Sequence, residues 1–572
     1  MPFIREIPDK MAPPDALSHL PAHIRTLITS TSSTGDSPSS PSSSSDRTPF
    51  RATASHLHQT WARTFSSLPE LYIRPRSVRE VEHAVSLAAR CRRRITVVGS
   101  GHSPSDLTCT SAWLVNLDDM AEVLDVDRGS GSVRVQAGMR LRRLGEVLDG
   151  FGLAVPNLGS IDEQSVAGVI GTGTHGSTLS YGLLSERVVE IKIVLADGKV
   201  RTCSAGEDGE LFRGALLSLG ALGVIVEVVF RAVPAFSVRW DQTIDREEVV
   251  FGRWERGELW GSGRFVRVWW FPYMRRAVVW KGDAVPETEV LAGKVSHRDP
   301  PTSWYDGAMG YYVYHNLLFL GRYVPRILPW VEWFVFGMQY GFRNGLDSEV
   351  TAVQPSRKAL LMNCLYSQFV NEWAVPLDKG PEALRRLGCW LQKLEPDDEG
   401  YVEHGIPFSN KGLYVHSPVE VRVSDTTVET SVEKGNRPWL DITREDGPTL
   451  YLNAIEYRPY NLEPGANNSK DRYYQGFEWL MRDLGGNPHW AKNFTASSED
   501  VEAWYGQNLV KWREVRDRAD PEGMFVGPWH RRLLLGGGEH LGCEEETVSI
   551  TKARGGGLLW EGRMGGEKSK HV

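Results

Sequence analysis

Cysteine is scarce in this sequence. There are 6 in 572 residues (Cys91, Cys109, Cys203, Cys364, Cys389 and Cys543), and no two form a Cys-x-x-Cys pair. This exclude a disulfide-built scaffold, leaves no Cys-type metal motif, and gives no reason to expect a metal site. It points to a reducing, intracellular setting, in which the Asn-x-Ser/Thr sequons at Asn467 and Asn493 are chance matches. The opening "MPFIREIPDKM" has no long apolar run of the secretory type. No uncharged apolar stretch reaches the roughly 20 residues of a spanning helix. A positive excess is missing too: the formal net charge is -7, which argues against an overall nucleic-acid-binding face.

What is present is a soluble, globular composition, 41% hydrophobic and 24% charged, with length for a large core and several domains. The stretch "TSTSSTGDSPSSPSSSSDRTP" has almost nothing to bury, so residues 1–50 read as a short, partly ordered arm followed by a disordered Ser/Pro linker. From His56 the pattern turns globular. "SVREVEHAVSLAARC" has helical periodicity, with Val78, Val81, Val85 and Ala88 near one face. "RRITVVGSG" reads as a buried strand entering a turn. Hairpins are expected at "RGSGS" and at Asp197-Gly198. "LGVIVEVVFRAVPAF" closes this α+β unit near Phe236, giving a first domain over 51–237, a second over 238–535 and a Gly-rich tail over 536–572. Within the second domain, Gly307 to Gly321 carries no formal charge, and apolar segments continue to Gly337 around Arg322, Arg326 and Glu332. Buried core, a partner surface and an interfacial membrane anchor all remain open for residues 307–337.

Two segments are dense in small residues. "VVGSGHSPSD" runs from Val97 to Asp106, but Pro104 stands where the third glycine of a Gly-x-Gly-x-x-Gly fingerprint would fall, so a Rossmann reading has little support. "NLGSIDEQSVAGVIGTGTHGSTLSYG", from Asn157 to Gly182, is rich in Gly, Ser and Thr. Backbone N–H groups and hydroxyls of this kind suit a diphosphate and a polar ring edge. Two such loops in one unit suggest an extended dinucleotide held by loops. His102, in the first loop, reads on its own as a histidine that packs or hydrogen-bonds within the turn. Downstream, "VEVRV" is a strand candidate that would put Glu420 and Arg422 on one face, because strand side chains alternate. It would equally suit a solvated cross-pair. "NPHWAKNF" joins a histidine, a tryptophan and Lys492, and by itself would also serve as a helix cap with a packed indole.

Together these segments resemble the vanillyl-alcohol oxidase superfamily of FAD-linked oxidoreductases, and within it the aldonolactone oxidases typified by fungal D-arabinono-1,4-lactone oxidase. "VVGSGHSPSD", "GSIDEQS", "GTGTHGS" and "LGVIVEV" carry the FAD-side likeness; the Glu-x-Arg strand, His-Trp-x-Lys, "YRPYN" and "DPEGMF" carry it to about residue 530. The resemblance implies an α+β fold: a two-part FAD-binding domain of the PCMH type and a C-terminal α+β substrate (cap) domain. It implies FAD bonded covalently through His102, a bond that retains the flavin and raises its potential. It assigns first-loop contacts to Gly99, Ser100, Gly101, Ser103 and Ser105. Second-loop contacts fall to Ser160, Ser165, Gly173, Thr174, His175 and Gly176, with Val224 a backbone contact from the closing strand.

On the substrate side the resemblance implies that Glu420, Arg422 and Lys492 line the pocket. Arg422 and Lys492 would stabilise alkoxide-like charge, with Lys492 the first candidate for a cation near flavin N1, and Glu420 would anchor hydroxyls or take the proton. The implied reaction oxidises the C2 hydroxyl of an aldono-1,4-lactone with O2, giving the ascorbate-type ene-diol D-erythroascorbate and H2O2. A dehydrogenase passing electrons to cytochrome c, and an alditol or other sugar-lactone oxidase, are the alternatives. The likeness to fungal relatives further implies a mitochondrial membrane location, outer or cytosol-facing because no Arg-rich presequence is visible; a cytoplasmic protein is the alternative.

Overall fold

The computed structural model describes residues 17–18, 20–31, 48–362, 366–416, 418–428, 437–462 and 469–536, together with the backbone of strands at 547–552 and 558–563. The Ser/Pro-rich linker, Cys364, Asn467 and Cys543 fall outside the described residues. Among the described residues five sheets form, and three of them position the site. The first is short, with strands β1 (Ala52–Thr53), β2 (Leu71–Ile73), β3 (Ile95–Val98) and β4 (Trp113–Asn116) in the order β1-β2-β4-β3. The second is antiparallel: β5 (Val123–Asp127), β6 (Ser132–Gln136), β7 (Val188–Val194), β8 (Val200–Ser204) and β9 (Val224–Arg231), ordered β8-β7-β9-β6-β5. The expected hairpins are β5–β6 and β7–β8, and Gly198 supplies the positive φ (74°) that the second turn requires.

Helix α1 (Ala22–Thr31) belongs to the globular body. Leu20, Ile24 and Ile28, spaced by four, are buried in the same apolar core as Val81 and Val85. Chain that reads as an arm from its composition is therefore part of the first domain's core. Helix α2 (Val78–Cys91) starts where the Ser77 hydroxyl accepts the Glu80 N–H at 3.3 Å and ends at Arg92 in the left-handed region. Helix α3 (Leu141–Gly150) precedes the second Gly-rich segment, and α4 (Val166–Gly171) lies within it.

The second half is built on an eight-stranded antiparallel sheet, opening at Phe236. Its strands are β10 (Phe236–Arg246), β11 (Phe265–Phe271), β12 (Arg276–Pro286), β13 (Gly345–Pro355), β14 (Gln368–Pro376), β15 (Val419–Ser424), β16 (Thr449–Tyr457) and β17 (Asn487–Pro488), in the order β13-β10-β12-β11-β15-β16-β14-β17. Its residues Val268, Val421 and Leu452 help form a second apolar core with Leu387 and Phe477. The two halves join at a Gly-rich segment: Thr178 N–H donates to Val423 O at 2.9 Å, and the Ser177 hydroxyl accepts from Val423 N at 3.3 Å.

The segment that includes residues 307–337 carries two helices packed on one another, α5 (Ala308–Gly321) and α6 (Leu328–Tyr340). Tyr314, Leu318, Val331 and Val335 turn inward and pack together. The other face exposes Met309 (69%), Tyr323 (67%), Trp330 (51%) and Trp333 (45%). Among the described residues no helix is long and apolar enough to cross a membrane.

Candidate active site

Three loops at the strand ends build one cavity. The first follows β3. Asn116 Nδ2 donates to Gly99 O at 3.1 Å, Trp61 N–H to Gly101 O at 2.7 Å, and Asn493 Nδ2 to Pro104 O at 2.9 Å, so the loop's carbonyls are tied into the protein. Asn493 is thereby occupied as a structural amide. The second loop meets the first at a point that only glycine permits: a Cβ on Gly99 would lie 2.0 Å from Ser165 Oγ. The third, Ser218 to Gly223, is pinned by His530, whose Nδ1 accepts the Gly527 N–H at 3.1 Å and whose Nε2 donates to Leu219 O at 2.8 Å. Burial pushes the His530 pKa down to about 4, keeping it neutral.

Of the residues singled out in the sequence, Gly99, Ser100, Gly101, His102 and Ser103 line the cavity from the first loop. Ser160, Ser165, Thr174 and His175 line it from the second, and Glu420, Arg422 and Lys492 from the opposite wall. Ser105, Gly173, Gly176 and Val224 do not. Ser105 is buried behind its loop. Gly173 turns the chain with φ 75°, and a Cβ on Gly176 would strike the Asn157 side chain. Val224 stands between Gly223 and Ile225, which line the cavity, while its own side chain is buried in the apolar core.

His102 is stacked on Trp61 with ring centroids 5.2 Å apart, and its Nδ1 is buried without a hydrogen-bond partner among the described residues. Burial, with Arg140 and Lys492 adding positive charge, lowers its pKa to about 4. A neutral imidazole with a ring nitrogen left over, beside two loops of small residues, suits the seating of a flavin dinucleotide.

On the opposite wall, β15 alternation places Glu420 and Arg422 side by side on the cavity face, both buried. Glu420 accepts from Asn453 Nδ2 at 3.3 Å and from Ser160 Oγ at 3.5 Å. Arg422 Nη2 donates to Glu372 Oε1 at 2.9 Å, while its Nε, buried and without a hydrogen-bond partner among the described residues, stands 3.7 Å from Glu420 Oε2. Lys492 Nζ lies 3.3 Å from Glu372 Oε2, and His175 Nε2 lies 2.7 Å from Glu372 Oε1. Burial alone would raise the Glu372 pKa, but Arg422, Lys492 and His175 hold it well below the ordinary carboxylate value. Burial lowers the pKa values of His175 and His489. His175, Glu372 and His489 bring ligand-type atoms within 4.8 Å of one another. A divalent cation there would face Arg422 and Lys492 on the same carboxylate, so the charge set disfavours a metal.

The sequence reading missed Glu372, Asn453, Trp61 and the Ser218–Gly223 loop. Glu372 had a faint signal, since with Asn371 it interrupts the otherwise apolar run "FVNEWAV". Trp61 had none.

The sheets and the loop-built cavity define the class: an FAD-binding oxidoreductase fold of the vanillyl-alcohol oxidase type. Cholesterol oxidase from Brevibacterium sterolicum shares the fold, with a TM-score of 0.68 at 15% identity over 87% of this chain and 100% of that one. The FAD binding domain family matches residues 69–204, and the D-arabinono-1,4-lactone oxidase family matches residues 228–533. A Neurospora crassa relative is 59% identical over 91% of this chain and 91% of its own. The D-arabinono-1,4-lactone oxidase of Yarrowia lipolytica is 40% identical over 82% of this chain and 95% of its own. That of Saccharomyces cerevisiae is 36% identical over 84% and 96%. The chain belongs to the D-arabinono-1,4-lactone oxidase family.

Proposed function

We propose that this chain oxidises the C2 hydroxyl of an aldono-1,4-lactone, D-arabinono-1,4-lactone by its family, with O2 as acceptor, giving D-erythroascorbate and H2O2. The observation that carries this reading is the convergence of Glu420, Arg422 and Lys492 on the cavity that His102 also lines. FAD, when bound, supplies the hydride acceptor that O2 reoxidises, and we assign its covalent attachment to His102. The chain's own groups handle binding and the proton. The Arg422 Nε–H and the Lys492 ammonium stabilise negative charge growing on the C2 oxygen, in a site where burial strengthens such contacts. The Glu420 carboxylate, steadied by Asn453 and Ser160, binds lactone hydroxyls or accepts the proton. The decisive experiment is a panel of lactones and alditols read by both peroxide release and cytochrome c reduction. Peroxide equal to lactone consumed supports the oxidase; cytochrome c reduction without peroxide, or turnover of alditols alone, overturns it.

The same reading places the protein on an outer mitochondrial or other cytosol-facing membrane surface, docked through the α5–α6 hairpin. Its outward aromatics and the exposed Arg326 and Arg343 suit an interfacial contact, and Glu332, the one acid between 308 and 340, is buried. Carbonate extraction of membranes tests this: release into the supernatant fits interfacial docking, and full recovery in a cytosolic fraction without extraction sinks it.

A further inference from the structure

We propose that Glu372 is a positioning residue of the reaction, whose carboxylate fixes Arg422 and Lys492 in place against the substrate. This rests on reading those two cations as the substrate-facing groups. Glu372 stands on β14, has no exposed surface, and gathers partners from three other segments: His175 of the second loop, Arg422 of β15 and Lys492 beyond β17.

Burying a carboxylate is a poor way to gain stability, because desolvation costs several kcal/mol and well-packed apolar residues commonly do as well. What the carboxylate does supply is geometry. By taking Arg422 Nη2, it orients the guanidinium on the cavity face, with Nε 3.7 Å from Glu420 Oε2 and no hydrogen bond to it. By facing Lys492 Nζ, it restrains a flexible four-carbon stem that is otherwise 22% exposed. The other groups that face it are His489, whose pKa burial holds low, and Tyr451, whose hydroxyl is paired with Ser424 at 2.8 Å. Arg422 also faces the Glu420 carboxylate at 3.7 Å, and the buried Arg267 adds a further cation within electrostatic reach of Glu420.

The test is Glu372→Gln in the flavin-loaded protein, beside Lys492→Met and the double variant. Glu372→Gln keeps the shape of the side chain and removes the charge that holds the two cations. The anaerobic flavin-bleaching rate is expected to fall about 10–100-fold, with kcat reduced more than KM rises. The double variant is expected to be slower than Lys492→Met, because Arg422 is also released, but by less than the product of the two single losses. A merely structural Glu372 would lower the unfolding midpoint and leave kcat and KM of the folded protein as in wild type; that outcome, or rate losses that multiply in full, overturns the proposal. If Glu372→Gln does not fold, Glu372→Asp serves: charge retained but withdrawn by one methylene should slow the rate, and a wild-type rate overturns the proposal. A wild-type enzyme inert to lactones would fail the proposed function instead, which separates the two.

Discussion

Lys492→Met replaces an ammonium by an apolar side chain of nearly the same reach. In the folded protein Lys492 Nζ faces Glu372 Oε2 at 3.3 Å and lines the cavity with Arg422 and Glu420. Losing one preorganised donor to a developing oxyanion costs about 2.7–4 kcal/mol, or roughly 10²–10³ in rate. The lower end is expected here, because Arg422 stays in place, bonded to Glu372 at 2.9 Å. Glu372 keeps two of its three partners, so the fold should hold, with the unfolding midpoint little changed. The assay is anaerobic stopped-flow: flavin bleaching on mixing with lactone reports the hydride step alone, free of the oxygen half-reaction. The bleaching rate should fall about 100-fold, while the lactone concentration for half-maximal rate changes far less, because the contact strengthens as charge grows. Lys492→Arg keeps the charge but brings a rigid planar fork, and should recover part of the rate. A Lys492→Met bleaching rate within about three-fold of wild type, well below one donor's worth, would refute the assignment and leave Arg422 as the sole electrostatic group.

Other expectations concern the cofactor side and the surface. His102→Ala should abolish acid-stable yellow colour while leaving some dissociable flavin, read by absorbance after acid precipitation. Because the His102 pKa is lowered to about 4, the imidazole is neutral above that value, and attachment of FAD to apoprotein should run at a constant rate from pH 8 to about pH 5; a midpoint near the ordinary histidine value would contradict the burial argument. Gly99→Ala puts a Cβ 2.0 Å from Ser165 Oγ, so the two loops must separate at a cost of about 1–3 kcal/mol, visible as a lower flavin-to-protein absorbance ratio. Replacing Trp330 and Trp333 by serine removes two of the hairpin's exposed rings; flotation with liposomes containing anionic lipid should drop at least ten-fold, since burying each such ring contributes about 1.5–3 kcal/mol, and unchanged flotation would exclude the hairpin as the docking face.

Features set by neighbours in sequence were legible in advance. The α2 face of Val81, Val85 and Ala88, the Asp197-Gly198 hairpin and the shared face of Glu420 and Arg422 all follow from backbone periodicity, which a short segment carries within itself. The two small-residue loops were legible for the same reason, as runs whose residues allow close approach. Contacts between segments far apart in the chain were not. Nothing near Glu372 announces that Arg422, 50 residues on, and Lys492, 120 residues on, will share its carboxylate. Nor does composition show that Leu20, Ile24 and Ile28 will be drawn into the core while Trp330 and Trp333 are left outside it. Which apolar face finds a partner, and which buried charge finds its counter-charge, depends on how the sheets stack. Sequence determined the repertoire of local elements and the chemistry they carry; the packing of β14, β15 and the Gly-rich loops decided which of those groups meet in one low-dielectric site.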